Sequence, residues 1–176
     1  MLEIKRIKEA ESNVKNYLSD GLLKQVKVKE PIAKQVLIKN ARESLQVSEL
    51  LFKNKYSNLW TLVTSYYSMY YIAKALLYEM NYKVETKISH KVTSDALITY
   101  ARKKITESLI QDYEEAQDEA LELAGIKADE LIESLDRERI KRERFQYSMT
   151  ETIMQNKAKT SLERAKKFLT EIEKLL

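Results

Sequence analysis

The sequence has no cysteine, one proline and two glycines in 176 residues. Without cysteine there are no disulfides and no thiolate metal sites, which excludes small secreted disulfide scaffolds. Pro31, Gly21 and Gly125 are too few turn formers for the many tight turns of a β-sandwich or barrel. A single histidine, His90, cannot build an ordinary zinc site. No run approaches the roughly 18 apolar residues of a membrane span. The opening stretch MLEIKRIKEAESNVKNYLSD alternates charged with apolar residues and lacks a signal-peptide core. A soluble, cytoplasmic protein with no membrane contact is therefore expected. Phosphate-cradling glycine loops, nucleotide-binding β-units and Ser-His-Asp motifs are also missing, so neither a cofactor nor a metal is expected.

What remains favours helix. Hydrophobic residues make up 44% and charged residues 33%, with long stretches of Ala, Leu, Lys and Glu. The spacing predicts helices over about 2–18, 31–53, 57–81, 90–102, 107–124, 128–147 and 150–176. Pro31 suits a first helical position. Gly125 suits a helix stop, because glycine adopts positive φ at little cost. Ser148 with Glu151, or Thr150, supplies a cap for the last helix. The stretches LLKQVKV and YKVETKIS read as connections. No repeat or linker divides the chain. The expected fold is all-α, an up-and-down bundle of four to five core helices over residues 31–176, with an added N-terminal helix in residues 1–30.

The net charge of +4 hides segregation. Residues 105–138 carry twelve acidic and two basic side chains, so the remainder of the chain is strongly basic. A basic face suits phosphates; solvated helix faces that cancel in space are the plainer alternative.

Three features carry the candidate chemistry. The first is SYYSMYYIAKALLYE, residues 65–79, with five of the eleven tyrosines. At about 100° per residue, Leu59, Val63, Tyr66, Tyr70, Ala73 and Leu77 form one stripe of a helix. Trp60, Tyr67, Tyr71, Lys74 and Tyr78 form the next. So wide an apolar arc suits a central helix or one that meets another chain. The hydroxyls need partners if buried. The second is DRERIKRER, residues 136–144. Arg142 extrapolates onto the apolar stripe of Ala128, Leu131, Leu135 and Met149, with Arg139 beside it. An arginine there requires a carboxylate, hydroxyls, an anion or a cleft, since it cannot shed its charge. A paired, exposed helix face is the ordinary alternative. The third is His90 at a helix start, either a capping histidine or an acid–base group.

Taken in order, these segments resemble the HEPN superfamily, and specifically its prokaryotic stand-alone branch. The likeness runs from ARESLQVSELLFKNKYSNLWTLVTSYYSMYYIAKALLYEMNYKVETKISHK, residues 41–91, through RERFQY, residues 142–147, to SLERAKKFLTEIEKL at the C-terminus. It covers about residues 32–176. The resemblance implies a bundle, usually homodimeric. Many such proteins are metal-independent ribonucleases, often toxins beside a minimal nucleotidyltransferase antitoxin, and use an Arg-x(4–6)-His motif. Arg142 matches the arginine, but Tyr147 stands where the histidine is expected and no histidine follows. A phenol with a pKa near 10 is a poor general base at neutral pH. The leading expectation is a non-catalytic binding module for a nucleotide, RNA or a nucleotidyltransferase partner. Its site would draw on Arg142, Tyr147, Arg139, Arg144, His90, Lys91, Tyr66, Tyr67 and Tyr70. The homodimer is expected through helices that include the tyrosines or the Arg142 segment. A divergent ribonuclease using Arg142 with Tyr147 or His90 is the alternative; a purely structural interaction bundle is a third.

Overall fold

The tyrosine-bearing helix is the centre of the molecule. In the computed structural model, which describes residues 2–124 and 151–176, the elements run α1 (Ile4–Ser19), β1 (Leu23–Gln25), α2 (Pro31–Lys53), α3 (Asn58–Glu79), β2 (Tyr82–Val84), α4 (Ser89–Ala96), α5 (Glu107–Ala124) and α6 (Glu151–Glu173). The 128–147 segment, Gly125, Ser148 and Thr150 lie outside the described residues, as do Arg139, Arg142, Arg144 and Tyr147. Among the described residues the architecture is all-α, with one small two-stranded sheet.

Local chemistry sets the boundaries. Pro31 begins α2, where its missing N–H costs nothing. Ser57 caps α3 by accepting from the Trp60 N–H at 3.2 Å. Gly21, at φ +72°, closes α1, and the Leu22 N–H reaches back to the Tyr17 carbonyl at 2.9 Å. Lys55, at φ +54°, ends α2 in the same way, with the Tyr56 N–H bonded to the Leu51 carbonyl at 3.0 Å. Asn81, at φ +69°, follows α3.

Two of these turns send the chain into a sheet that the sequence pattern did not reveal. Leu23–Gln25 pairs antiparallel with Tyr82–Val84, placing Leu23 opposite Val84. Three-residue strands are too short to show a period. The fourth helix also differs from a plain α-helix over 90–102: it is α-helical to Ala96 and then widens into a π turn over Leu97–Ala101.

α3 packs against α2, α6, α5, α4 and β2. Tyr66, Met69, Ile72, Ala73, Leu76 and Leu77 are buried along it. α5 adds Leu109, Ile110 and Tyr113; α6 adds Ala165, Phe168 and Ile172. Small residues bring α2 and α3 close. Ser48 Oγ donates to the Thr61 carbonyl at 2.9 Å and lies 2.6 Å from Ser65 Oγ.

α1 docks on α4, its π extension and β1. Its anchor is Asp95, fully buried on α4. Arg6 pairs with that carboxylate at 2.7 Å, the Asn13 amide donates to it at 3.0 Å and the Tyr17 hydroxyl at 2.9 Å. Arg6 also pairs with Glu114 of α5 at 2.8 Å. The acidic α5 meets basic partners on α6: Arg164 pairs with Asp112, Glu115 and Glu119, and Lys167 with Asp112. No helix among the described residues is long and apolar enough to cross a membrane.

Candidate functional site

The third helix and the start of the fourth build one polar cluster. Tyr66, Tyr67, Tyr70, Tyr71 and Lys74 fall on adjoining turns of α3, so their side chains share about a third of the helix circumference. α4 begins opposite them with Ser89 and His90. The approach is unusual: Ile88, immediately before, has φ +44° and ψ +31°. A β-branched residue in the left-handed region costs on the order of 1–2 kcal/mol. Packing of Ile88 on the core and the Val92 N–H bond to its carbonyl, 3.1 Å, offset that strain. The outcome is that Ser89 and His90 face the tyrosines rather than solvent.

The Tyr66 hydroxyl lies 2.6 Å from His90 Nδ1, and the Tyr70 hydroxyl donates to Ser89 Oγ at 2.8 Å. The imidazole sits among three phenol rings, with centroids 4.5 Å from Tyr70, 5.5 Å from Tyr66 and 5.9 Å from Tyr67. Behind it, on α5, the buried Tyr113 ring is 5.9 Å from Tyr66. Burial, followed by the nearby Tyr113 hydroxyl, pushes the Tyr66 phenol well above its ordinary range. Burial also raises Tyr67, Tyr70 and Tyr71. His90 goes the other way: burial, and then the Lys74 charge, bring it down to about 4. At neutral pH both partners of the short contact are uncharged. With the Nε2–H tautomer assigned to the ring, the phenol donates to Nδ1 and the imidazole N–H is left free to donate in turn.

Lys74 completes the cluster. Its ammonium is half-buried, 3.4 Å from the Tyr70 hydroxyl and 5.2 Å from the centre of that ring. Burial lowers its pKa, while Glu85 works in the opposite sense. Glu85 is already engaged by Lys24 at 3.1 Å and Lys83 at 3.9 Å. Lys74 has no ion pair among the described residues. The cluster thus presents an ammonium, a neutral imidazole N–H and the partly exposed rings of Tyr67 and Tyr71. That set suits an anion with an attached flat ring: the cations and N–H donors meet the charge, and the phenols stack.

The structure groups His90 with Tyr66, Tyr67 and Tyr70. It puts Lys91 elsewhere, on a cavity of about 360 Å³ that is also lined by Arg6, Ser94, Glu114, Gln117 and Asp118. Burial raises the Asp118 carboxyl, and Glu114 adds to the effect. Lys74, Ser89, Tyr71 and Tyr113 are the members that the residue pattern did not single out as site residues. Lys74 was nonetheless visible on the second tyrosine stripe. Among the described residues no group of acidic side chains and histidine could hold a metal ion.

No curated protein gives a match to the chain. The HEPN domain model matches residues 35–175, a span that includes the tyrosine–His90 cluster and the RERFQY segment. Most of the chain falls within that match, and the protein belongs to the HEPN family.

Proposed function

We propose that the protein is a non-catalytic HEPN binding module whose ligand carries both phosphate and base, a nucleotide or RNA. The observation that carries this is Lys74: a half-buried ammonium with no ion pair among the described residues, set between partly exposed tyrosines and a histidine. Retaining such a cation costs desolvation energy unless an anion completes it. His90 supports binding over catalysis. With its pKa near 4 and Nδ1 occupied by Tyr66, it is badly matched to proton abstraction at neutral pH. It serves instead as an Nε2–H donor. Arg142 and Tyr147, within the family match, would add charge and a further phenol.

The test is a mixed RNA pool in EDTA, with wild type, Lys74→Met and Arg142→Ala, scored for both binding and cleavage. Salt-sensitive binding without cleavage is expected. Lys74→Met should weaken it and reduce the salt slope by about one. Cleavage that disappears in Arg142→Ala would replace this reading with a divergent ribonuclease. No RNA or nucleotide binding at low salt would sink it, and would leave a protein partner such as a minimal nucleotidyltransferase, as in toxin–antitoxin pairs.

A further inference from the structure

The fourth helix is held at both ends of its short length, by different parts of the chain. It has eight residues, Ser89–Ala96, and no side-chain cap at its start. On its first turn Ser89 and His90 meet Tyr70 and Tyr66 of α3. On its second turn the buried Asp95 is closed over by Arg6, Asn13 and Tyr17 of α1, and the Arg6 guanidinium also donates to Ser94 Oγ at 3.4 Å. Just past the helix, Arg102 pairs with Glu11 of α1 at 3.0 Å. His90 and Asp95 lie about 8 Å apart along the helix axis. So short a helix moves as one piece. A rotation of about 20° carries a side-chain end roughly 2 Å, enough to break the 2.6 Å contact between Tyr66 and His90.

The backbone ahead of α4 favours such a rotation. Ile88 stands at φ +44°, a conformation that a β-branched residue keeps only where its surroundings over-determine it. The N-terminal segment grips the chain on both sides of this residue. Upstream, β1 pairs with β2, the Glu85 N–H donates to the Leu22 carbonyl at 3.0 Å, and Lys24 pairs with Glu85 at 3.1 Å. Downstream, α1 holds Asp95. Thr86, Lys87 and Ile88 are all that lies between Glu85 and α4. Loosening the grip lets Ile88 return to an ordinary conformation, and α4 turns with it.

We propose that α1 and β1 set the position of His90, with Arg6 and Asp95 acting as positioning residues for the tyrosine–histidine cluster from the far end of α4. The strained turn at Ile88 carries the coupling, since it is the element with two conformations that both ends bias. What this means for a ligand rests on the function proposed above. The placement of the imidazole does not, and no ligand enters the test.

His90 is the only histidine, so an NMR titration of the full chain reads its imidazole directly. The titratable groups about the ring, Tyr66, Tyr67, Tyr70 and Lys74 of α3 with Tyr113 of α5 behind them, are the same in every variant. Arg6→Ala strands a buried carboxylate and endangers the fold, so Asp95→Asn is the deciding change. Its amide still accepts from Tyr17, and Arg6 keeps its pair with Glu114. Removing a negative charge lowers a histidine midpoint if the ring stays where it is. Freeing α4 lets water reach the ring, and should instead raise the midpoint by about one unit, tenfold in proton affinity. Arg6→Lys, which keeps the charge, should stay near wild type. Adding Ile88→Gly to Asp95→Asn should bring the midpoint back, because glycine takes a positive φ without strain and needs no grip to hold it. An unchanged or lowered midpoint in Asp95→Asn would overturn the proposal, as would a raised one that Ile88→Gly leaves in place.

Discussion

His90 should make the protein acid-sensitive, and the effect can be sized. In the unfolded chain its imidazole takes up a proton near the ordinary 6.5, whereas in the folded cluster it does so only at about 4. Above pH 6.5 neither state is protonated there and the residue contributes no pH dependence. As the pH falls from 6.5 to 4 the unfolded state binds the additional proton, so stability declines through that window and the loss is complete below it. The full difference corresponds to about 3 kcal/mol. The ring is only partly shielded from water, which reduces the expected loss to about 2 kcal/mol. His90→Gln retains an acceptor for the Tyr66 hydroxyl but does not titrate. Urea unfolding of both proteins from pH 7.5 to 4 should therefore show wild type losing about 2 kcal/mol more than the variant. The carboxylates titrate alike in both and cancel. A direct check is also available: His90 is the only histidine, so its imidazole proton resonance needs no assignment. Parallel stability curves, or a resonance that titrates near 6.5, would refute the buried-imidazole argument.

Other consequences follow from the same contacts. Tyr66→Phe removes the donor to Nδ1 and should destabilise by about 1 kcal/mol in urea unfolding, while raising the His90 midpoint seen by NMR. Arg6→Ala strands the buried Asp95 carboxylate and should cost about 3 kcal/mol, measured at neutral pH. Gly21→Ala has room for the methyl group, since the nearest atom is 3.9 Å away, so any loss reports the φ of +72° alone; about 1–2 kcal/mol is expected. Lys55→Gly, at φ +54°, should instead raise stability by up to about 1 kcal/mol, readable as a higher melting temperature.

Helix positions were legible because their punctuation is local. Pro31, Ser57 and Gly21 act within a turn of where they stand, and the apolar stripe of α3 shows plainly across residues 59–77. The central position of α3 could be read from the width of that stripe. The β1–β2 pair could not: its register depends on Gly21 and Asn81 bending two distant turns toward each other. Asp95 was invisible for a related reason. A carboxylate inside a helix reads as exposed until Arg6, Asn13 and Tyr17, some eighty residues earlier, are known to close over it. His90 was recognised as a candidate, but its tyrosine surroundings depend on the backbone at Ile88, and nothing in the residue type announces a left-handed isoleucine. Lys74 lay in view on the second stripe. That no carboxylate among the described residues pairs with it is a fact about space rather than spacing.

The docking of α1 bears on where this protein begins as a working unit. The family match starts at residue 35. A chain trimmed to that boundary would lose Arg6, which neutralises Asp95, the Asn13 and Tyr17 donors that hydrogen-bond it, and the strand that pairs with Tyr82–Val84. It would be left with a naked charge in an oily socket and an open strand edge, the two features that most readily drive a domain to unfold or to stick to its neighbours. The first thirty residues are thus a built-in plug, and a minimal version of this protein should keep them.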